Sequence, residues 1–263
     1  MNRFFELYPK NQMVFIKNKV INKTGFFYEA FTTRTGGESE GVYESLNTGF
    51  NTKDSHKKVV KNIDKIKRAL HIDKIYAPVQ VHGDKICVIT PENRSYVTDM
   101  ECDALITNEK GYAIAVRAAD CVTSVIACPD KKVIAAVHSG WRGVANKIIL
   151  KTALIMINEF KCAPEHMLVS MSPAIAPKSF AVGAEVYENL QKDPLFSKIF
   201  KKKKAGITMN MWQGNKNLLM SCGVKQENIF INEMDTFTHK KMFFSYRRDG
   251  AETGRMMYLI GIK

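Results

Sequence analysis

The residues best suited to chemistry concentrate in Ala113 to Gly143, AIAVRAADCVTSVIACPDKKVIAAVHSGWRG. Two apolar runs there are flanked by polar groups that strand packing does not require. Asp120 and Cys121 precede the first run, and the second ends in His138, Ser139, Gly140, Trp141, Arg142 and Gly143. If VTSVIAC and KKVIAAV form a hairpin through Pro129 and Asp130, the Cys121 thiol and the His138 imidazole meet at one sheet edge. Such a pair is either a nucleophile with its base or part of a transition-metal site. A third ligand decides between the two, and His82 in QVHGD is the candidate, because it follows the apolar run Ile75 to Val81 and precedes a glycine that frees the backbone to turn. Cys121 lies 39 residues after His82 and 17 before His138. That is unlike a local zinc-finger spacing, so spacing alone leaves three unrelated structural residues as the alternative.

Other polar constellations are loop-like: TTRTGGESEGVYESLNTG (Thr32 to Gly49), SPAI (Ser172 to Ile175) and FFSYRRDGAETGR (Phe243 to Arg255). Glycines near Arg34, Asn47, Arg247, Arg248 and Arg255 give backbone freedom beside cations, which suits an oxyanion or phosphate. Surface ion pairs and carbonyl caps are the alternative for each arginine. No P-loop or dinucleotide fingerprint is present.

The elements that must position these groups follow from pattern. Gly25 to Phe31, Ile75 to Val81, Lys85 to Ile89, Tyr112 to Val116, Val122 to Cys128, Val133 to Val137 and Met167 to Met171 read as strands, several of them apolar on both faces. Helical spacing runs through Asp54 to Leu70, Val144 to Phe160, about Gly183 to Gln191, and Asn215 to Cys222. Strands and helices mixed without strict alternation predict an α+β or three-layer α/β domain with a mixed central sheet covered by helices. With no internal repeat or Gly/Ser-rich linker, residues 1–263 are expected to form a single domain, and the run Lys201 to Lys204 to be a surface loop.

The chain has 263 residues, 45% of them hydrophobic, enough to bury a sizeable core and to exclude disordered and collagen-like classes. Its net charge of +13 would attract phosphates, nucleic acid or an anionic surface. The lysines are dispersed and no basic block is interleaved with aromatics, so nucleic acid is not an expected partner. No apolar run approaches the ~18 residues of a membrane span, and MNRFFELYPK lacks signal-peptide character, so a soluble cytoplasmic protein with no membrane partner is expected. The six cysteines form no CxxC pair and no compact framework, which predicts reduced thiols.

In order along the chain, TRTGG, SLNTG, QVHGD, DALIT, AADC, HSGWRG, SPAI, FAVGAEV and FSYRRDGAETGR resemble the YfiH-type family. This family is also called laccase-domain or polyphenol-oxidase-like, and its members include purine nucleoside phosphorylases and the peptidoglycan editing factor. The match runs from about Thr32 to Arg255. The resemblance implies a single α/β domain of the cytotoxic necrotizing factor-like type that binds zinc. The ligands carried over by motif are His82, Cys121 and His138. Three protein ligands leave one tetrahedral position open, as a catalytic zinc requires.

The activity implied is phosphorolysis of adenosine, inosine, guanosine and methylthioadenosine, with hydrolytic deamination of adenosine as a further one. The partners are then a purine nucleoside and phosphate, and the chain is expected as a monomer or a homodimer. Arg34 and Asn47 are the expected phosphate or ribose contacts, with Arg247 or Arg248 behind them, and Asp120 an outer partner of the metal or a base. The sequence departs from the family pattern at Arg117-Ala118-Ala119, where Thr is usual, and at Ser172, where Gly is common. One alternative is a hydrolase editing peptidoglycan precursors; another is a binding module with a structural zinc, although such zincs normally have four protein ligands. A copper-dependent polyphenol oxidase is a third. Only six histidines and no His-x-His pair argue against a full multicopper centre, while copper stays an alternative metal for a single Cys/His site.

Overall fold

The computed structural model describes residues 2–204 and 206–263. Two six-stranded sheets carry the fold. In spatial order the first consists of Phe5–Lys10, Met13–Asn18, Phe27–Thr32, Met256–Ile262, Ala113–Ala118 and Ile75–Tyr76. The second consists of Ile229–Ile231, Leu168–Met171, Val122–Cys128, Val133–Ser139, Ala104–Thr107 and Ile86–Val88. Most neighbours are antiparallel, but each sheet has parallel pairing at an edge, as between Ile75 and Ala113 or Ile86 and Ala104. A small three-stranded sheet of Ala181–Val182, Gly206–Met209 and Phe200–Lys203 is added at the side.

The mixed α/β class is as expected, with the sheet divided in two. The inner faces meet: Phe31, Ile114, Val116, Tyr258 and Ile260 of the first sheet share one core with Leu105, Val125, Ala127, Ile134 and Ala136 of the second. On its outer face the first sheet presents Ala113, Ala115, Met257 and Leu259 to Ile66 and Ala69 of the helix His56–Leu70. The outer face of the second packs Ile106, Ala135 and Val137 with Ile149 and Ala153 of the helix Ile148–Asn158 and Leu218 and Leu219 of the helix Met211–Ser221. Both faces of the central strands are therefore dry, which is why their sequences are continuous apolar runs rather than alternating ones. Each fully buried aliphatic or aromatic side chain contributes roughly 1.5–3 kcal/mol.

Three local expectations change. The helix read over Val144 to Phe160 is two, Trp141–Ala145 and Ile148–Asn158, because Lys147 sits at φ 58°, in the left-handed region that interrupts a helix. The strand read over Ile75 to Val81 stops at Tyr76, since Pro78 has no N–H to give a ladder. Val79 then exchanges backbone hydrogen bonds with Met100 and Cys102, so this segment crosses towards the second sheet. The lysine run is an exposed edge strand, Phe200–Lys203, paired with Gly206–Met209. Lysines there keep their charges in water and blunt an open edge. Among the described residues no helix is long and apolar enough to cross a membrane.

Glu29 is a buried acid between the N-terminal hairpin and the core, 2% exposed. Its Oε1 accepts from the Asn18 N–H and, at 2.8 Å, from Asn22 Nδ2, while Oε2 has no partner. Burial pushes the carboxyl up to about 7 from its ordinary 4.5. Between these values the folded chain holds a proton that the unfolded chain has lost, so this group's contribution to stability falls as pH rises through the window and levels off above it. Glu29→Gln is expected to melt higher than the parent at pH 8, by on the order of 3 kcal/mol at most, and no higher at pH 4. Urea melts across pH 4 to 8 check this, and a parallel pair of curves would refute it.

Candidate metal centre and its cleft

Chain crossings between the sheets build the centre. The segment after Tyr76 leaves the first sheet and carries His82. The turn from Ala113–Ala118 into Val122–Cys128 also passes from the first sheet to the second, and carries Asp120 and Cys121. In the hairpin of Val122–Cys128 with Val133–Ser139, Thr123 pairs with His138 and Val122 with Ser139, so Cys121 and His138 come to the same sheet end. One ligand atom from each of His82, Cys121 and His138 lies within 4.8 Å of the others. The two imidazoles stand almost perpendicular, at 85°, with centroids 4.8 Å apart. His138 is buried, Cys121 partly buried and His82 exposed.

The group that orients this trio is Asp103, fully buried immediately before the strand Ala104–Thr107. Its Oδ1 accepts from His138 Nδ1 at 2.8 Å and from the His82 N–H at 3.1 Å. Its Oδ2 accepts from the N–H groups of Val81 (3.2 Å) and Gly83 (2.8 Å). Burial opposes this charge, but the hydrogen bond and charge of His138 and the backbone donors outweigh it and hold the carboxyl below its ordinary value. With Nδ1 given to Asp103, His138 keeps Nε2 for a ligand. Burial likewise opposes a Cys121 thiolate, but His138 and His82 more than offset it and bring the thiol down to about 6. His138 is raised to about 9 by Cys121 and Asp103 against its own burial. Gly140 leaves room for the sulfur, since a Cβ there would lie 2.7 Å from Cys121 Sγ.

The trio opens into a cleft of about 900 Å³. Its walls include Phe50, Trp141, Phe180 and Tyr246, the aliphatic Val79, Ile175 and Met257, and the cations Arg117, Arg142, Arg247 and Arg255. Of the anion contacts expected from sequence, Arg247 reaches the cleft, exposed and over the Phe180 ring at 5.1 Å. Arg34, Asn47 and Arg248 do not line it. Arg34 donates to the Glu44 and Lys240 carbonyls, and Arg248 to those of Thr236, Phe237 and Phe243 and to Asp249. Asn47 is fully buried and joins Thr52 and Asp54 to the Gly49 and Arg255 N–H groups. All three therefore hold loops together. Asp120 lines the cleft, but its oxygens accept from Thr236 Oγ1 (2.6 Å), Ser245 Oγ (2.9 Å) and the Arg247 N–H (2.7 Å). These bonds tie the loop Phe243 to Arg255 beside Cys121 and leave the carboxylate little freedom to act as a base.

Sequence reasoning passed over Asp103 and Arg117. Asp103 could have been found as the acid preceding a strand that pairs with the one ending in His138. Arg117 stood out only as a departure from the family pattern.

A sulfur and two imidazole nitrogens, one imidazole fixed by a carboxylate, are a donor set that fits zinc and also accepts copper. Among the described residues no second cluster of this kind forms.

A family model described as multi-copper polyphenol oxidoreductase laccase matches residues 28–263. The chain belongs to this laccase-domain family. It is 33% identical over 239 residues to a purine nucleoside phosphorylase of Bacteroides thetaiotaomicron, covering 86% of this chain and 88% of the relative. It is 34% identical to the purine nucleoside phosphorylase YfiH of Shigella flexneri, over 87% and 91% of the two chains. Among solved structures, the Bacillus licheniformis hypothetical protein YfiH superposes with a TM-score of 0.92 at 29% identity, covering 100% of both chains. YlmD from Geobacillus stearothermophilus gives 0.91 at 28%, covering 99% of each.

Asp103→Asn keeps the side-chain shape but puts an amide where four donors need acceptors. It is expected to lower metal affinity about 10–100-fold, measured by competition with a chromophoric chelator. Unchanged affinity would remove Asp103 from the centre. Gly140→Ala should lower metal affinity in the same assay, because the new methyl competes with the sulfur for space.

Proposed function

We propose that the chain is a zinc-dependent purine nucleoside phosphorylase acting on adenosine, inosine, guanosine and methylthioadenosine, with adenosine deamination at the same centre and residues 1–263 working as one catalytic unit. The observation that carries this reading is a three-donor centre, with no fourth donor in the cluster among the described residues, facing a cleft with aromatic and cationic walls. The phosphorylase names of several relatives support it. His82, Cys121 and His138 hold the metal, which supplies a Lewis acid when bound; copper fits the same donors.

Phosphorolysis joins a phosphate oxygen to C1′ of the ribose as the bond from C1′ to the purine breaks and the departing base takes a proton. The protein must hold the nucleoside, concentrate an anion and keep water from replacing it. Trp141, Phe180 and Tyr246 give the cleft aromatic walls against which a purine can pack. Arg142 and Arg247 lie over the Trp141 and Phe180 rings at 4.4 and 5.1 Å and bring positive charge to those walls. Val79, Ile175 and Met257 present apolar surface that disfavours water. Asp103 keeps His138 in a single orientation through the cycle.

Purified protein incubated with adenosine is expected to release adenine and ribose 1-phosphate only when phosphate is supplied. Inosine formed with or without phosphate reports deamination. No turnover of any of the four nucleosides would overturn the phosphorylase reading. Cys121→Ala should lose more activity than the ~10–100-fold expected of an outer partner, with far-ultraviolet circular dichroism unchanged. Loss of the folded signal in step with metal loss would instead point to a structural ion.

A further inference from the structure

The cations lining the cleft differ in how far the protein already uses them. Arg247 gives Nη1 to the Ala181 carbonyl at 3.0 Å, and Arg255 gives Nη1 to the Thr253 and Gly254 carbonyls at 2.7 and 3.0 Å. Arg142 is exposed and stacked on Trp141. The guanidinium of Arg117 makes no hydrogen bond or ion pair among the described residues, and its Nε is enclosed without a partner. Its contact is the Phe50 ring, 5.6 Å away. Of the carboxylates lining the cleft, Asp64 pairs with Lys67 at 3.2 Å and Asp120 is taken up by Thr236, Ser245 and Arg247. Burial alone brings the guanidinium down to about 10, with no neighbouring charge contributing.

The main chain of Arg117 is nonetheless held firmly. The residue extends from the strand Ala113–Ala118 on the face of Ala113 and Ala115, beside Met257. The Gln80 side chain brackets its backbone, Nε2 donating to the Arg117 carbonyl at 2.8 Å and Oε1 accepting its N–H at 2.7 Å. A half-buried cation without a protein partner is costly, whereas a guanidinium that leaves an anchored backbone at the wall of a cleft has its paired donors free to grip an oxyanion.

We propose that Arg117 is the anion anchor of the cleft, binding a phosphate group in a subsite walled by Phe50 and Met257. The choice of phosphate as the anion rests on the phosphorylase reading. Two sources share this chemistry: free orthophosphate, and the 5′-phosphate of a nucleotide.

The test is calorimetry on the metal-loaded full chain, titrated separately with orthophosphate and with adenosine 5′-monophosphate, for the parent, Arg117→Met and Arg117→Lys. The parent is expected to bind at least one of the two ligands. Arg117→Met should weaken that ligand at least ~10-fold, with Arg117→Lys in between because it keeps charge but loses the paired donors. A loss confined to orthophosphate identifies the co-substrate, and one confined to the nucleotide identifies the 5′-phosphate. In phosphate-free buffer Arg117→Met should melt above the parent, and the bound anion should raise the melting temperature of the parent more than that of Arg117→Met. Equal binding by parent and Arg117→Met, or no binding of either ligand by the parent, overturns the proposal. If Arg117→Met does not fold, Arg117→Lys carries the comparison, and parental affinity in that variant overturns the paired-donor geometry. Binding requires no turnover, so Arg117-dependent binding without phosphorolysis would sink the phosphorylase reading and leave the subsite standing.

Discussion

Everything at the centre leans on one buried carboxylate. Asp103 has no solvent exposure, and an ionised acid in that position persists only if the protein replaces the water it has lost. The replacement comes from an imidazole and three consecutive backbone N–H groups, those of Val81, His82 and Gly83. Those partners are the groups that have to be placed for the centre to exist. The loop bearing His82, which has φ 59°, is held in a conformation that few non-glycine residues adopt, and the carboxylate compensates it with hydrogen bonds. The ring of His138 is turned so that its remaining nitrogen faces the sulfur. Satisfying the acid and assembling the ligands are thus the same set of contacts.

The division of the sheet in two is what makes these contacts available. A chain passing from one sheet to the other must form a loop at their common end, and two such crossings deliver His82 and Cys121. The cleft forms beside them, where the helix His56–Leu70 covers one sheet and the loop Phe243 to Arg255 closes over the end. Much of the polar machinery around it serves that closure. Asn47, Arg248 and Asp120 together fasten three loops to one another through side chains whose acceptors and donors are largely consumed.

How much of this was legible in the sequence depended on range. The hairpin of Val122–Cys128 and Val133–Ser139 could be read because apolar runs and a Pro-Asp turn are local signals, and the proximity of Cys121 to His138 followed from it. The helix His56–Leu70 was legible from its stripe of Val59, Ile63 and Ile66. The strand Met256–Ile262 was not read at all, although it pairs with Phe27–Thr32 and Ala113–Ala118 at the middle of the first sheet. Its run MMYLIGI is an apolar signal of the same local kind, whereas its place in the sheet is set by neighbours far away in the chain that no local feature announces. The split of the sheet was hidden for the same reason, since a strand dry on both faces reads alike whether a helix or another sheet covers it. Among the arginines, residue type and nearby glycines could not separate a side chain that caps carbonyls from one left free, because that difference is made by partners up to 206 residues distant.

Gln80 and His82 stand on one short stretch of chain, the first gripping the main chain at Arg117 and the second offering its imidazole to an ion. This short strap is thereby fastened to the first sheet at Arg117 and, through the His82 N–H, to Asp103. Free energy is a function of state, so whatever factor a loaded ion lends to anion capture, a captured anion must return to ion retention. The stretch from Gln80 to His82 is the shortest covalent link between the two places, so a change of backbone at either residue is transmitted directly to the other.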